Sequence, residues 1–168
     1  MNALTISYRF STTELCTLLE ATRIGPLPGA PLQPVDAATA RETLDRLSGE
    51  GMLMVAGETL YIDKRINFLL RAAAGSKAAA AVTDDTRTLV LWRAERLFIL
   101  GAFSGQDGCA LTPLQNAADA QTALADALHR TLRPLRAANV FNPKRRIDIP
   151  PDSKATEQEI ALCVMELL

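Results

Sequence analysis

Apolar residues recur at helical spacing through most of the chain before Gly75, and at alternate positions through the forty residues after it. The pattern is clearest over 36–75, DAATARETLDRLSGEGMLMVAGETLYIDKRINFLLRAAAG. Asp36 predicts an N-cap, because its carboxylate can accept from the free amides of a first turn. Ala40, Leu44 and Leu47 then share one face, with Arg41, Glu42, Asp45 and Arg46 on the other. Gly49 and Gly51 end that helix, since glycine enters left-handed conformations without a Cβ penalty. Residues 52–55 and 59–62 are short apolar runs joined by Ala56-Gly57-Glu58, which predicts a hairpin with a three-residue loop. Asp63 caps a second helix with Ile66, Leu69, Leu70 and Ala73 in its stripe. The unit reads as winged-helix-like.

On either side the pattern is equally directional. Leu4-Thr5-Ile6-Ser7-Tyr8-Arg9-Phe10 alternates as a strand with one buried face. Ser11-Thr12-Thr13-Glu14 is a capping box opening a helix with Leu15, Leu18, Leu19 and Thr22 on one side. It stops in Gly25-Pro26-Leu27-Pro28-Gly29-Ala30-Pro31, where three prolines and two glycines exclude regular structure. That loop is either an ordered connector or a segment exposing Ile24 and Leu27 to a partner. Residues 79–83, 88–92, 97–103 and 109–114 predict four strands whose short polar or glycine-rich connections favour an antiparallel meander. Leu89, Leu91, Phe98 and Leu100 are its core candidates. Asn116 or Asp119 can cap a helix through His129, with Leu124 and Leu128 facing the sheet. Residues 130–152, with Pro143, Pro150 and Pro151, read as irregular. Thr156-Glu157-Gln158-Glu159 is a second capping box, starting a terminal helix over 156–168 with Ile160, Cys163, Val164 and Leu167 on one face.

The fold class expected is α+β: an antiparallel meander of four or five strands over 76–115, packed with helices and joined to the winged-helix-like unit at 36–75. A chain of 168 residues fits a single domain, 1–168, with a core that needs no disulfide or metal. With 48% hydrophobic and 22% charged residues the composition is that of a soluble globular protein, and a net charge of −1 points to no polyelectrolyte partner. Cys16, Cys109 and Cys163 stand far apart in apolar surroundings and read as buried, reduced thiols. No secretory signal pattern opens the chain, and no apolar run approaches the ~20 residues that span a bilayer. Those features suggest a cytoplasmic protein.

Catalytic chemistry is sparse. His129 is the only histidine and there is no paired-cysteine motif, so no metal and no cofactor is expected. Ser104 in Gly101-Ala102-Phe103-Ser104-Gly105 is one position off a nucleophile elbow and reads as a turn residue. Neither a dinucleotide glycine fingerprint nor a P-loop occurs. Asp84 and Asp85 sit in a predicted turn, where aspartate bonds locally. No catalytic residue is assigned. For DNA binding, the unit at 36–75 offers five basic residues against six acidic, and its wing has Glu58 and no cation. From Arg130 to Arg146 there are six basic residues and no acid. Lys144, Arg145 and Arg146 are therefore candidate anion-binding residues, with a solvated basic linker as the alternative.

The order of these elements resembles one family. FSTTELCTLLEATRI, the apolar loop GPLPGAP, LDRLSGEGMLMVAGETLYID, INFLLRAAAG and the meander beginning KAAAAVTDD together look like the first portion of the secretion-specific chaperones of type VII secretion systems (EspG type). The resemblance covers 4–128 and carries no binding residues with it, because no counterpart of that family's C-terminal helical bundle can be matched. It implies a non-enzymatic adaptor that shields apolar helical secretion substrates. A winged-helix DNA-binding or ligand-sensing regulator is the alternative, and a second copy of the chain is a further candidate partner. From the residues themselves, if Leu89 and Leu91 point inward, alternation turns Val90 and Trp92 outward. Trp92, with Arg93 and Arg96 as a polar rim, is then the candidate protein-binding surface. The competing expectation packs Trp92 under the terminal helix.

Overall fold

The computed structural model describes residues 6–105 and 108–168. Leu4 and Thr5 of the first predicted strand, and Gln106 and Asp107 of one predicted connection, lie outside that range. The elements run β1 (Tyr8–Phe10), α1 (Thr12–Ala21), α2 (Ala37–Gly49), β2 (Leu53–Ala56), β3 (Thr59–Ile62), α3 (Lys64–Ala74), β4 (Ala78–Thr83), β5 (Arg87–Arg93), β6 (Phe98–Ser104), β7 (Gly108–Leu114), α4 (Ala117–Leu128), β8 (Leu135–Asn139), β9 (Arg146–Ile149) and α5 (Glu157–Leu167). It is an α+β fold. One antiparallel sheet has the order β1-β7-β6-β5-β4-β8-β9, and β2-β3 form a separate two-stranded sheet.

The helix starts follow from side chains that satisfy orphan amides. Ser11 and Glu14 cap α1 reciprocally, as Thr156 and Glu159 cap α5. Asp36 accepts from the Thr39 amide at 2.9 Å, Asp63 from the Arg65 amide at 2.8 Å, and Asn116 from the Asp119 amide at 2.9 Å. The stretch 36–75 thus forms helix, hairpin and helix in the predicted order. Its hairpin is tighter than expected: Ala56 pairs with Thr59, leaving a two-residue loop in which Gly57 has φ +63°. A positive φ at the first loop position alone matches the twist of the flanking strands in a type II′ turn.

Two cores flank the large sheet. On one face α1, α2, α3 and Leu27 of the proline loop pack against Ala79, Val90, Trp92, Ile99, Phe103, Cys109 and Leu111. On the other, α4 and α5 pack against Ala80, Val82, Leu89, Leu91, Leu100, Leu135, Ala137 and Ile149. Both faces of the central strands are therefore dry, which is why Leu89-Val90-Leu91-Trp92 is continuously apolar rather than alternating.

Two expectations are corrected. The segment 130–152 is not irregular throughout: β8 pairs with β4 and β9 with β8, adding two strands to the meander, and β1 on β7 brings the sheet to seven. Several of its basic residues are matched from outside the segment or across the ladder. Arg136 faces Asp148 at 3.0 Å, and Arg133 donates to the carbonyls of Ser153 and Ala155 beside Glu157. Cys163 is exposed rather than buried, and Ala161 takes the inward position on α5, while Cys16 and Cys109 are buried.

Candidate functional site

Trp92 is fully buried, at 0% exposure, and is not a surface anchor. Alternation does place it opposite Leu89 and Leu91, but that second face is covered by helices and by the proline loop. Its indole Nε1 donates to the Pro28 carbonyl at 2.8 Å, and the Phe103 ring meets it edge-on at 6.3 Å and 87°. The terminal helix α5 packs on the opposite face, so the competing expectation for Trp92 is corrected too. The loop at 25–31 is a fixed lid over the indole: Leu27 is buried and Ile24 half-buried.

Arg93 and Arg96 remain exposed, and the structure gives them a different aromatic neighbour. Phe68, on the outer side of α3, is 62% exposed. It shares a concavity of about 670 Å³ with Arg71, Lys77, Arg93, Glu95 and Arg96. On its other side Phe68 lines a second concavity of about 310 Å³ with Tyr8, Lys64, Arg65, Leu69 and Pro113. Tyr8 and Arg65 continue into a third, about 540 Å³, between β1, the β2–β3 hairpin and the start of α3. There Ile6 (57% exposed), Met54 (62%) and Tyr61 (51%) stand open, and Met54 and Tyr61 face each other directly across the hairpin. The three hollows form one apolar path from Ile6 to Phe68.

Its rim is basic. Lys64, Arg65, Arg71, Lys77, Arg93 and Arg96 line it, against Asp63 and Glu95. Asp63 is occupied as the cap of α3 and lies 3.7 Å from Arg65. Monomers rarely leave several large apolar side chains grouped in this way, and a charged rim around an apolar floor is the anatomy of a protein interface. Two sequence signals pointed here without being used. Phe68 is an aromatic off the Ile66-Leu69-Leu70-Ala73 stripe, and the hairpin strands LMVA and TLYI are too apolar for a two-stranded sheet with one wet face.

Lys144, Arg145 and Arg146 lie in and after the β8–β9 turn. Arg145 donates to the Glu166 carbonyl at 2.7 Å, and Arg146 lies 3.7 Å from Asp148. Lys144 alone of the three has no such partner among the described residues. The trio is largely spent on holding the end of α5 and the β8–β9 ladder.

Elsewhere the ionisable groups act locally. Burial pushes the Asp84 carboxyl up, but the amides of Leu132, Thr86 and Arg87 that donate to it outweigh this and hold it below the usual carboxylate range. Burial, with Cys16 and Glu14 nearby, pushes the Cys109 thiol up to about 12, and its Sγ points at the Phe10 carbonyl. His129 lies 3.7 Å from Glu157. Among the described residues no His, Cys, Asp or Glu group is placed to hold a metal, and no helix is long and apolar enough to cross a membrane. No family model and no curated protein matches the chain.

Proposed function

We propose that this protein is a non-enzymatic adaptor or chaperone that binds another protein along the path from Ile6 to Phe68. The observation that carries the reading is the exposed quartet Ile6, Met54, Tyr61 and Phe68, set in adjoining hollows with a basic rim. An amphipathic helix fits these hollows: its apolar side against the quartet, acidic flanks against Arg65, Arg71, Arg93 and Arg96. That occupant agrees with the resemblance to type VII secretion chaperones, which implies a cytoplasmic adaptor for apolar helical secretion substrates.

The regulator alternative uses the same cations differently. A nucleic-acid surface needs them on a projecting wing or recognition helix, yet the hairpin presents Met54, Val55 and Tyr61 outward and Glu58 at its tip. The apolar hairpin favours protein over nucleic acid. Testing is direct: Phe68→Glu should abolish partner capture in the native host while shifting the unfolding free energy by no more than about 0.5 kcal/mol, as for other surface changes. Unchanged capture would overturn the reading. If the substitution instead converts a dimer to a monomer in sedimentation, the occupant is a second copy of the chain.

A further inference from the structure

The opposite face of the sheet carries a second, chemically distinct hollow. Helices α4 and α5 cover that face over the middle strands and over β8, but leave its outer part, at β1 and the adjoining end of β7, open. The floor there is made of small residues, Ala102, Ala110 and Gly108, and the hollow measures about 750 Å³. Arg9 reaches it from β1, Arg87 from the start of β5 and Arg130 from just beyond α4. Strand alternation accounts for the split: Tyr8 turns to the docking path and Arg9 to this hollow.

Three arginines in one hollow call for an explanation, since none of them is within an ion pair among the described residues. Two acids among the described residues face the same space. Glu14 is committed to the Ser11 amide at 2.9 Å and to Arg46 at 2.6 Å, leaving Asp126 alone against three cations. Most pointedly, the Nε of Arg87 is buried and has no hydrogen-bond partner. A guanidinium donor left unpaired inside the protein is costly, and it marks Arg87 as a cation that no described residue balances. The hydroxyls of Ser7 and Thr112 are hydrogen-bonded to each other at 2.7 Å, which leaves one O–H of the pair as a further donor on the wall.

We propose that the hollow between Arg9, Arg87 and Arg130 binds a small phosphate-bearing ligand. Guanidinium forks match phosphate oxygens in pairs, and the volume is that of a small-molecule site. The assignment stands apart from the docking path, since it uses other residues on the other face.

Calorimetric titration of the full chain with inorganic pyrophosphate at low salt tests it. Wild-type protein should bind, Arg87→Gln and Arg130→Gln should each weaken binding by about tenfold or more, and Asp126→Asn should tighten it. Lys144→Gln, on the β8–β9 turn, should leave it unchanged. Having two arginine variants on separate elements keeps the test sound if one of them fails to fold. Absence of pyrophosphate binding, or binding that both arginine variants retain, would overturn the proposal. Tighter binding of a polyglutamate peptide than of pyrophosphate would also overturn it, giving the hollow to an acidic protein segment instead.

Discussion

Gly101 lies where any side chain would collide with the core: a Cβ there would stand 2.6 Å from the Trp92 ring and 2.9 Å from Phe103. The indole therefore occupies space that three elements leave for it, between β6, the proline loop and the helices. Trp92→Ala should cost about 3–5 kcal/mol, read as a large fall in the thermal midpoint, and Gly101→Ala about 1–3 kcal/mol through overpacking. A Trp92→Ala midpoint near wild type would contradict this packing. Sequence alternation located the face of Trp92 correctly, but a period-two pattern does not say what lies above a face. The cysteines divide in the same manner. Burial raises the Cys16 thiol and takes Cys109 to about 12, so neither forms thiolate near neutral pH, while Cys163 is exposed. Titration of the native protein with an aromatic disulfide reagent at pH 8 should modify Cys163 alone. Rapid modification of Cys109 would show that the sheet opens.

At the scale of elements, most of what was legible came from caps and turns. Ser11, Asp36, Asp63 and Thr156 begin their helices where their side chains predict, and of the two possible caps of α4, Asn116 and Asp119, it is Asn116 that serves, because capping is a contact between near neighbours in sequence. Strands β8 and β9 were not legible. Ala137 and Ala138 carry little hydrophobic signal, prolines flank the strands, and their cations find acids only once the ladder forms. Asp84 ties the two kinds of information together. Its Oδ1 closes the β4–β5 turn onto Thr86 and Arg87, while its Oδ2 accepts from the Leu132 amide beyond α4 at 2.7 Å. Because its folded pKa is depressed, the stabilisation is present above the unfolded value and is lost as pH falls through the folded one. Asp84→Asn should therefore lower the midpoint at pH 7 and flatten its decline toward acid. A variant that parallels wild type across the acid range would remove Asp84 from this account.

For the whole molecule, the sheet is the partition: α1, α2, α3 and the proline loop on one side, α4 and α5 on the other. The proposed phosphate hollow lies at the β1 edge, and the proposed docking path runs from that edge to the β5–β6 turn. Of the residues along the proposed docking path, only the exposed cations could be read from the pattern. Arg93 and Arg96 could be read from the turn they occupy, but their aromatic neighbour Phe68 comes from α3, a proximity that only the packing of α3 beside the β5–β6 turn creates. Position-specific photo-crosslinking in the native host tests the central claim most directly. A photoreactive residue in place of Phe68 is set against one in place of Leu162, an exposed apolar position on α5. The prediction is a discrete adduct with another protein from position 68, none from position 162, and loss of the adduct when Arg93 and Arg96 are both changed to Glu. Equal adducts from both positions, or none from position 68, would contradict the account.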